Sequence, residues 1–121
     1  MIKIDKEKNL LFYKSYIPCN CVYCRNFYAQ IKSVCKSLAE YFQQYNIDIQ
    51  KPYELAPINF KDKTEYISCQ YLVFGECSDD FQMNIGDITL RKELSHPSTD
   101  SYEKPNFVLD FAITLPNLIR K

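Results

Sequence analysis

The chain has 121 residues, 46% of them hydrophobic and 15% aromatic. That is enough to bury one core without obligatory disulfides or metal, and it argues against disorder. Fifteen basic residues balance fifteen acidic ones, so the positive excess that nucleic acid or an anionic membrane demands is missing. Ten Tyr and eight Phe with only two Gly point to a strand-rich, well-packed single domain over residues 1–121.

The opening stretch MIKIDKEKN contains no apolar leader, and no apolar run approaches the ~18–20 residues of a bilayer span. A cytoplasmic location is expected, where the six cysteines are reduced rather than paired. Residues 2–4 and 10–17 read as strands flanking the charged DKEKN, which together predict an N-terminal hairpin.

Three cysteines, Cys19, Cys21 and Cys24, come next in PCNCVYCRNF. They precede the strongest periodic signal of the chain. Phe27, Ile31, Val34, Leu38, Tyr41, Phe42 and Tyr45 fall on one helical stripe, and Asn26, Gln30, Ser33, Ser37, Glu40 and Gln44 on a water-compatible face. One long amphipathic helix is expected over about 21–46, with Asn20 as its N-cap and a stop near Asn46.

The remainder reads as strands. PYELAPINF, interrupted by prolines, predicts an edge strand, and the near-continuous apolar run of EYISCQYLVFGE predicts a central one. In FQMNIGDITL the apolar parity changes at Gly86-Asp87, which predicts a bulge or tight turn. SHPSTDSYEKP reads as loop. NFVLDFAITL puts Phe107, Leu109, Phe111, Ile113 and Leu115 on one face, opposite Asp110 and Thr114. The predicted class is α+β, one helix packed on a mostly antiparallel sheet.

Three chemistries fit the cysteines. A structural zinc site takes four Cys or His ligands, and Cys19, Cys21 and Cys24 supply three of them. Cys35 lies about 16 Å along a continuous helix from Cys24, which leaves Cys69 or, above all, Cys77 or His96 as the fourth ligand. A redox pair fits Cys21-Val-Tyr-Cys24 at a helix start, where free amides favour a thiolate. The strand-rich second half does not match a thioredoxin-like fold. Buried thiols fit best: counting back from Phe27 in threes puts Cys24 and Cys21 on the helix stripe, Cys35 continues it, and Cys69 alternates with Ile67, Tyr71 and Val73.

His96 sits before Pro97 in a polar loop, and Glu76, Asp79 and Asp80 read as a solvated turn. No phosphate-cradling loop, nucleophile elbow or HExxH is present. CNCVYCRNFY, IDIQKPYEL, QYLVFGE, IGDITL and SHPSTD resemble a family of small uncharacterised bacterial proteins with a C-x-C-x-x-C-R-N-[FY] segment before a helix. The resemblance carries over no activity or cofactor. Arg25 and Asn26 belong to the matching segment, and their expected roles are structural: Arg25 pairing with a strand carboxylate, or Asn26 capping the hairpin. The expected function is a non-enzymatic, immunity- or adaptor-like module whose partner is another protein, with no cofactor. The alternative is a zinc-binding or thiol-active protein centred on Cys19, Cys21 and Cys24.

Overall fold

The computed structural model describes residues 2–94 and 97–119. The chain opens with a short strand, β1 (Ile2–Ile4), and then turns directly into helix α1 (Lys6–Ser15). The expected hairpin is therefore absent. The charged DKEKN is the first turn of a helix: Asp5 accepts from the Lys8 amide at 3.1 Å and caps it, Glu7 lies in the first turn and Lys14 in the last, as the helix dipole favours. Leu10 to Tyr13 form a contiguous apolar run, which does not by itself distinguish a helical period from a strand.

Two residues fix α1 on the sheet. Asn9, fully buried, donates to the Tyr45 carbonyl at 3.0 Å and accepts from the Phe74 amide at 2.9 Å. Tyr13 donates its hydroxyl to the Leu72 carbonyl at 2.6 Å.

The predicted long helix is two helices, α2 (Val22–Val34) and α3 (Lys36–Gln43), broken at Cys35, whose φ of −112° and ψ of 59° are not helical. The break follows a β-branched residue, Val34, and Ser33, whose hydroxyl donates back to the Gln30 carbonyl at 3.1 Å. Such back-bonding weakens and bends a helix. The bend shifts the apolar stripe by one residue. Phe27, Ile31, Cys35, Leu38 and Phe42 are buried, whereas Val34 is exposed. Asn46, with φ of 60°, then ends the helical region where expected.

Five strands remain: β2 (Glu54–Asn59), β3 (Lys63–Cys77), β4 (Gln82–Ile85), β5 (Ile88–Glu93) and β6 (Asn106–Pro116). A short 3-10 helix, Pro97–Ser101, occupies part of the predicted loop. With β1 they form a curled antiparallel sheet of order β1-β3-β6-β5-β4, in which β2 shares with β1 the far edge of β3. The proline-bearing segment is thus an edge strand, and β3 is central. Gly86, with φ of 59°, makes the β4–β5 turn at the position where the parity changes.

Helices α2 and α3 cover one face. Phe42 meets Tyr71 edge-on at 4.9 Å between ring centroids, and Tyr71 stacks on Phe111 at 5.8 Å. On the other face Leu72, Phe74 and Val108 are covered by Phe12, Tyr53 and Tyr102. Residues 71–74 are therefore buried on both sides, which accounts for their unbroken apolar run.

Ile67 departs from the expected alternation. Ser68 pairs with Ala56 and Tyr66 with Pro57, so Ile67 has no partner on β2, and the register with β6 slips at the same place. This β-bulge lets Tyr66 and Cys69 both face the core while Ile67 is half exposed.

Candidate metal centre

The chain leaves α1 through Tyr16, which stacks on Phe12 at 4.9 Å and donates its hydroxyl to the Tyr53 carbonyl at 3.3 Å. Burial pushes the Tyr16 phenol up to about 12, helped by neighbouring Tyr102, Tyr53, Glu54 and Cys19. The segment Ile17–Asn20 then crosses to the start of α2. There Tyr28 donates its hydroxyl to the Cys19 carbonyl at 2.7 Å and ties the Cys19 backbone to the helix.

Cys21, not Asn20, is the N-cap of α2. Its φ of −72° and ψ of 167° lie outside the helix, and its Sγ accepts from the Cys24 amide at 3.5 Å. Counting the helical stripe back to Cys21 fails for that reason: the side chain points to solvent. Cys24 lies one turn on and is 7% exposed, whereas Cys19 and Cys21 are exposed. The three Sγ atoms lie within 4.8 Å of one another.

Their environments differ. Burial pushes the Cys21 thiol up, but hydrogen bonds from the Cys24 amide and thiol, the Cys19 thiol and the Tyr23 amide outweigh it, so the net shift is downward. Burial pushes the Cys24 thiol up, reinforced by the Cys21 and Cys19 sulfurs. The Tyr28 phenol also rises, first through burial and then through the nearby Cys24.

The other cysteines stand apart. Cys35 lies at the helix break and Cys69 in the core, and burial pushes both thiols up. The buried-thiol expectation thus holds for Cys24, Cys35 and Cys69 and fails for Cys21. Cys77, named as a fourth ligand, is at the far end of β3, opposite Ile2. Tyr66 marks the near end, since its hydroxyl donates to the Tyr23 carbonyl at 2.6 Å. Eleven residues, about 36 Å of strand length, separate Tyr66 from Cys77, which is not among the converging sulfurs. His96, the other named ligand, lies outside the described residues. In the acidic turn, Asp79 pairs with Lys92 at 2.7 Å.

Asn26 and Gln30, expected in water, are buried under the end of β6. Asn26 donates to the Pro116 carbonyl at 3.1 Å and accepts from the Leu118 and Ile119 amides at 2.9 and 3.3 Å. Gln30 donates to the same Pro116 carbonyl at 2.8 Å. Asn26 therefore holds the chain's last strand to α2 rather than capping a hairpin. The role of Tyr28 had one sequence signal: it follows Cys24 by four residues, which puts both on one helical face.

Among the described residues, no helix is long and apolar enough to cross a membrane. Compared with models of known protein families, with curated proteins and with solved structures, the chain matches none.

Proposed function

We propose that this chain binds one soft metal ion, zinc in the first instance, through Cys19, Cys21 and Cys24. The observation that carries the proposal is the convergence of the three sulfurs within 4.8 Å at the start of α2. Zinc–sulfur bonds of about 2.3 Å put tetrahedral ligands about 3.8 Å apart, so side-chain rotations of the order of 1 Å close the site. An all-sulfur donor set suits zinc or monovalent copper and not magnesium or calcium. The downward shift at Cys21 favours the thiolate that a metal requires. Because Cys19 and Cys21 are exposed, the remaining coordination position faces solvent and takes water or an incoming thiolate.

The test is zinc competition against a chromophoric chelator, with cobalt substitution to register sulfur-to-metal charge transfer. The expected result is one metal per chain, lost in Cys21→Ser and Cys24→Ser and kept in Cys77→Ser. Binding that persists in the Cys19/Cys21/Cys24 triple serine variant would end the proposal.

A second reading, a surface for another protein, is favoured by Leu11 and Ile17, 68% and 87% exposed on α1 and the linker to Cys19. Under it, Leu11→Lys and Ile17→Lys weaken capture of the partner from the source cell and leave zinc uptake unchanged. Unchanged capture would rule this surface out.

A further inference from the structure

We propose that Cys21 and Cys24 also undergo thiol–disulfide exchange with low-molecular-weight disulfides, Cys21 reacting first and Cys24 resolving the adduct. The exchange itself does not require a bound metal. Only its suppression by zinc, described below, rests on the metal-binding reading.

Access sets the order of events. Cys21 is exposed at the mouth of the helix, while Cys24 is 7% exposed beneath it. A small disulfide therefore reaches the first sulfur and not the second. The Cys24 amide donates to the Cys21 Sγ at 3.5 Å and holds that sulfur over the first turn of α2. The two sulfurs already lie within 4.8 Å of one another, so side-chain rotation with a small backbone adjustment brings them to the ~2 Å of a disulfide bond.

Cys19 is the competing partner. It is carried by the linker, whose carbonyl is held by Tyr28, and lies only two residues from Cys21. A Cys19–Cys21 bond would close a smaller ring than Cys21–Cys24. Cys35 and Cys69 are buried elsewhere, and Cys77 lies at the far end of β3.

The chemistry balances in two steps. The Cys21 thiolate attacks the external disulfide, forming a mixed disulfide and expelling one small thiolate. Cys24 loses its proton to solvent and attacks the Cys21 sulfur, which forms the Cys21–Cys24 bond and expels the second small thiolate. Both expelled thiolates take up protons. The two electrons lost by the cysteine pair reduce the external disulfide to two thiols, and the reverse sequence restores the pair. Since two of the three proposed metal ligands are consumed, oxidation and metal binding exclude each other.

The experiment exposes metal-free protein to glutathione disulfide, quenches by alkylation, and maps the products by peptide mass spectrometry. Wild type is expected to lose two alkylatable thiols and to yield the Cys21–Cys24 linkage. Cys19→Ser yields the same linkage. Cys24→Ser stops at a glutathione adduct on Cys21, and Cys21→Ser reacts at least about tenfold more slowly at Cys24. Serine is itself a good N-cap, so Cys21→Ser keeps the helix start. A wild-type linkage through Cys19, or a Cys24→Ser protein unmodified at Cys21, would overturn the proposal. Prior loading with one equivalent of zinc is expected to slow the loss of thiols at least about tenfold. If the linkage forms but zinc does not slow it, the metal reading fails and the exchange stands.

Discussion

Asn26 and Gln30 share one acceptor, the Pro116 carbonyl, at 3.1 and 2.8 Å. Replacing both should therefore cost more than the sum of replacing each. In Asn26→Ala the carbonyl keeps Gln30, and Tyr66 keeps its bond to the Tyr23 carbonyl. The main losses are the acceptor for the Leu118 and Ile119 amides, with two longer bonds besides, to the Tyr66 hydroxyl at 3.3 Å and from the Gln30 amide at 3.2 Å. At about 1 kcal/mol for each of the two amide bonds, less about 0.5 kcal/mol returned by alanine's helix propensity, the cost is about 1.5 kcal/mol, and the two longer bonds bring it to about 2 kcal/mol. Gln30→Ala removes one principal bond and costs about 1 kcal/mol. The double variant orphans the Pro116 carbonyl, which adds about 1 kcal/mol or more of uncompensated desolvation and outweighs the longer direct Gln30–Asn26 bond at 3.2 Å that each single variant already loses. A double-mutant cycle by urea denaturation measures this coupling. Costs that add within about 0.3 kcal/mol, or an Asn26→Ala cost below about 0.5 kcal/mol, would refute the shared-acceptor reasoning.

Gly75→Ala is expected to cost at least about 2 kcal/mol, because φ is +130° and the new Cβ would overlap the Lys3 carbonyl; a thermal melt close to wild type would contradict this. Deletion of Ile67 should leave a cooperatively folded protein, since removing the unpaired residue gives Tyr66, Ser68 and Cys69 a regular alternation against Pro57 and Ala56. Loss of the cooperative urea transition would show that the bulge is required. Burial raises the Asp110 carboxyl above its ordinary value, against the lowering effects of Ser68 and Arg91. A carboxyl raised in the folded state contributes stability below its unfolded pKa and loses it as pH rises through the folded value. Asp110→Asn should therefore raise the urea midpoint more at about pH 7 than at about pH 3, and an equal change at both would sink the argument. Tyr28→Phe frees the Cys19 carbonyl and should weaken zinc binding about tenfold with little change in stability, read by chelator competition; unchanged affinity would remove Tyr28 from the site.

The parts of the fold legible in sequence were those fixed by local chemistry. The proline-bearing edge strand, the Gly86-Asp87 turn and the stop near Asn46 each follow from residues that act on their own backbone, and the central strand from an apolar run that burial on both faces requires. Residues 2–17 read as a hairpin because Leu10–Tyr13 has no clear period, and Asp5, the cap that decides for helix, looks in sequence like one more loop charge. The bulge at Ile67 was invisible because its effect lies in the pairing of three strands, not in β3 itself.

For the cysteines, sequence alone set the spacing, and so limited Cys19, Cys21 and Cys24 to one knuckle before a helix. It could not decide which of them leaves the helical stripe. That depended on where the first helical dihedral falls, and an N-cap one residue later than expected turned Cys21 from core to solvent. Tertiary structure alone removed Cys77, because a strand of fifteen residues carries it to the opposite end of the sheet. It also buried Asn26 and Gln30, whose polar groups satisfy a strand end ninety residues away in sequence. Local propensity and spacing are written in neighbouring residues; burial and convergence depend on contacts that exist only once the chain has closed on itself.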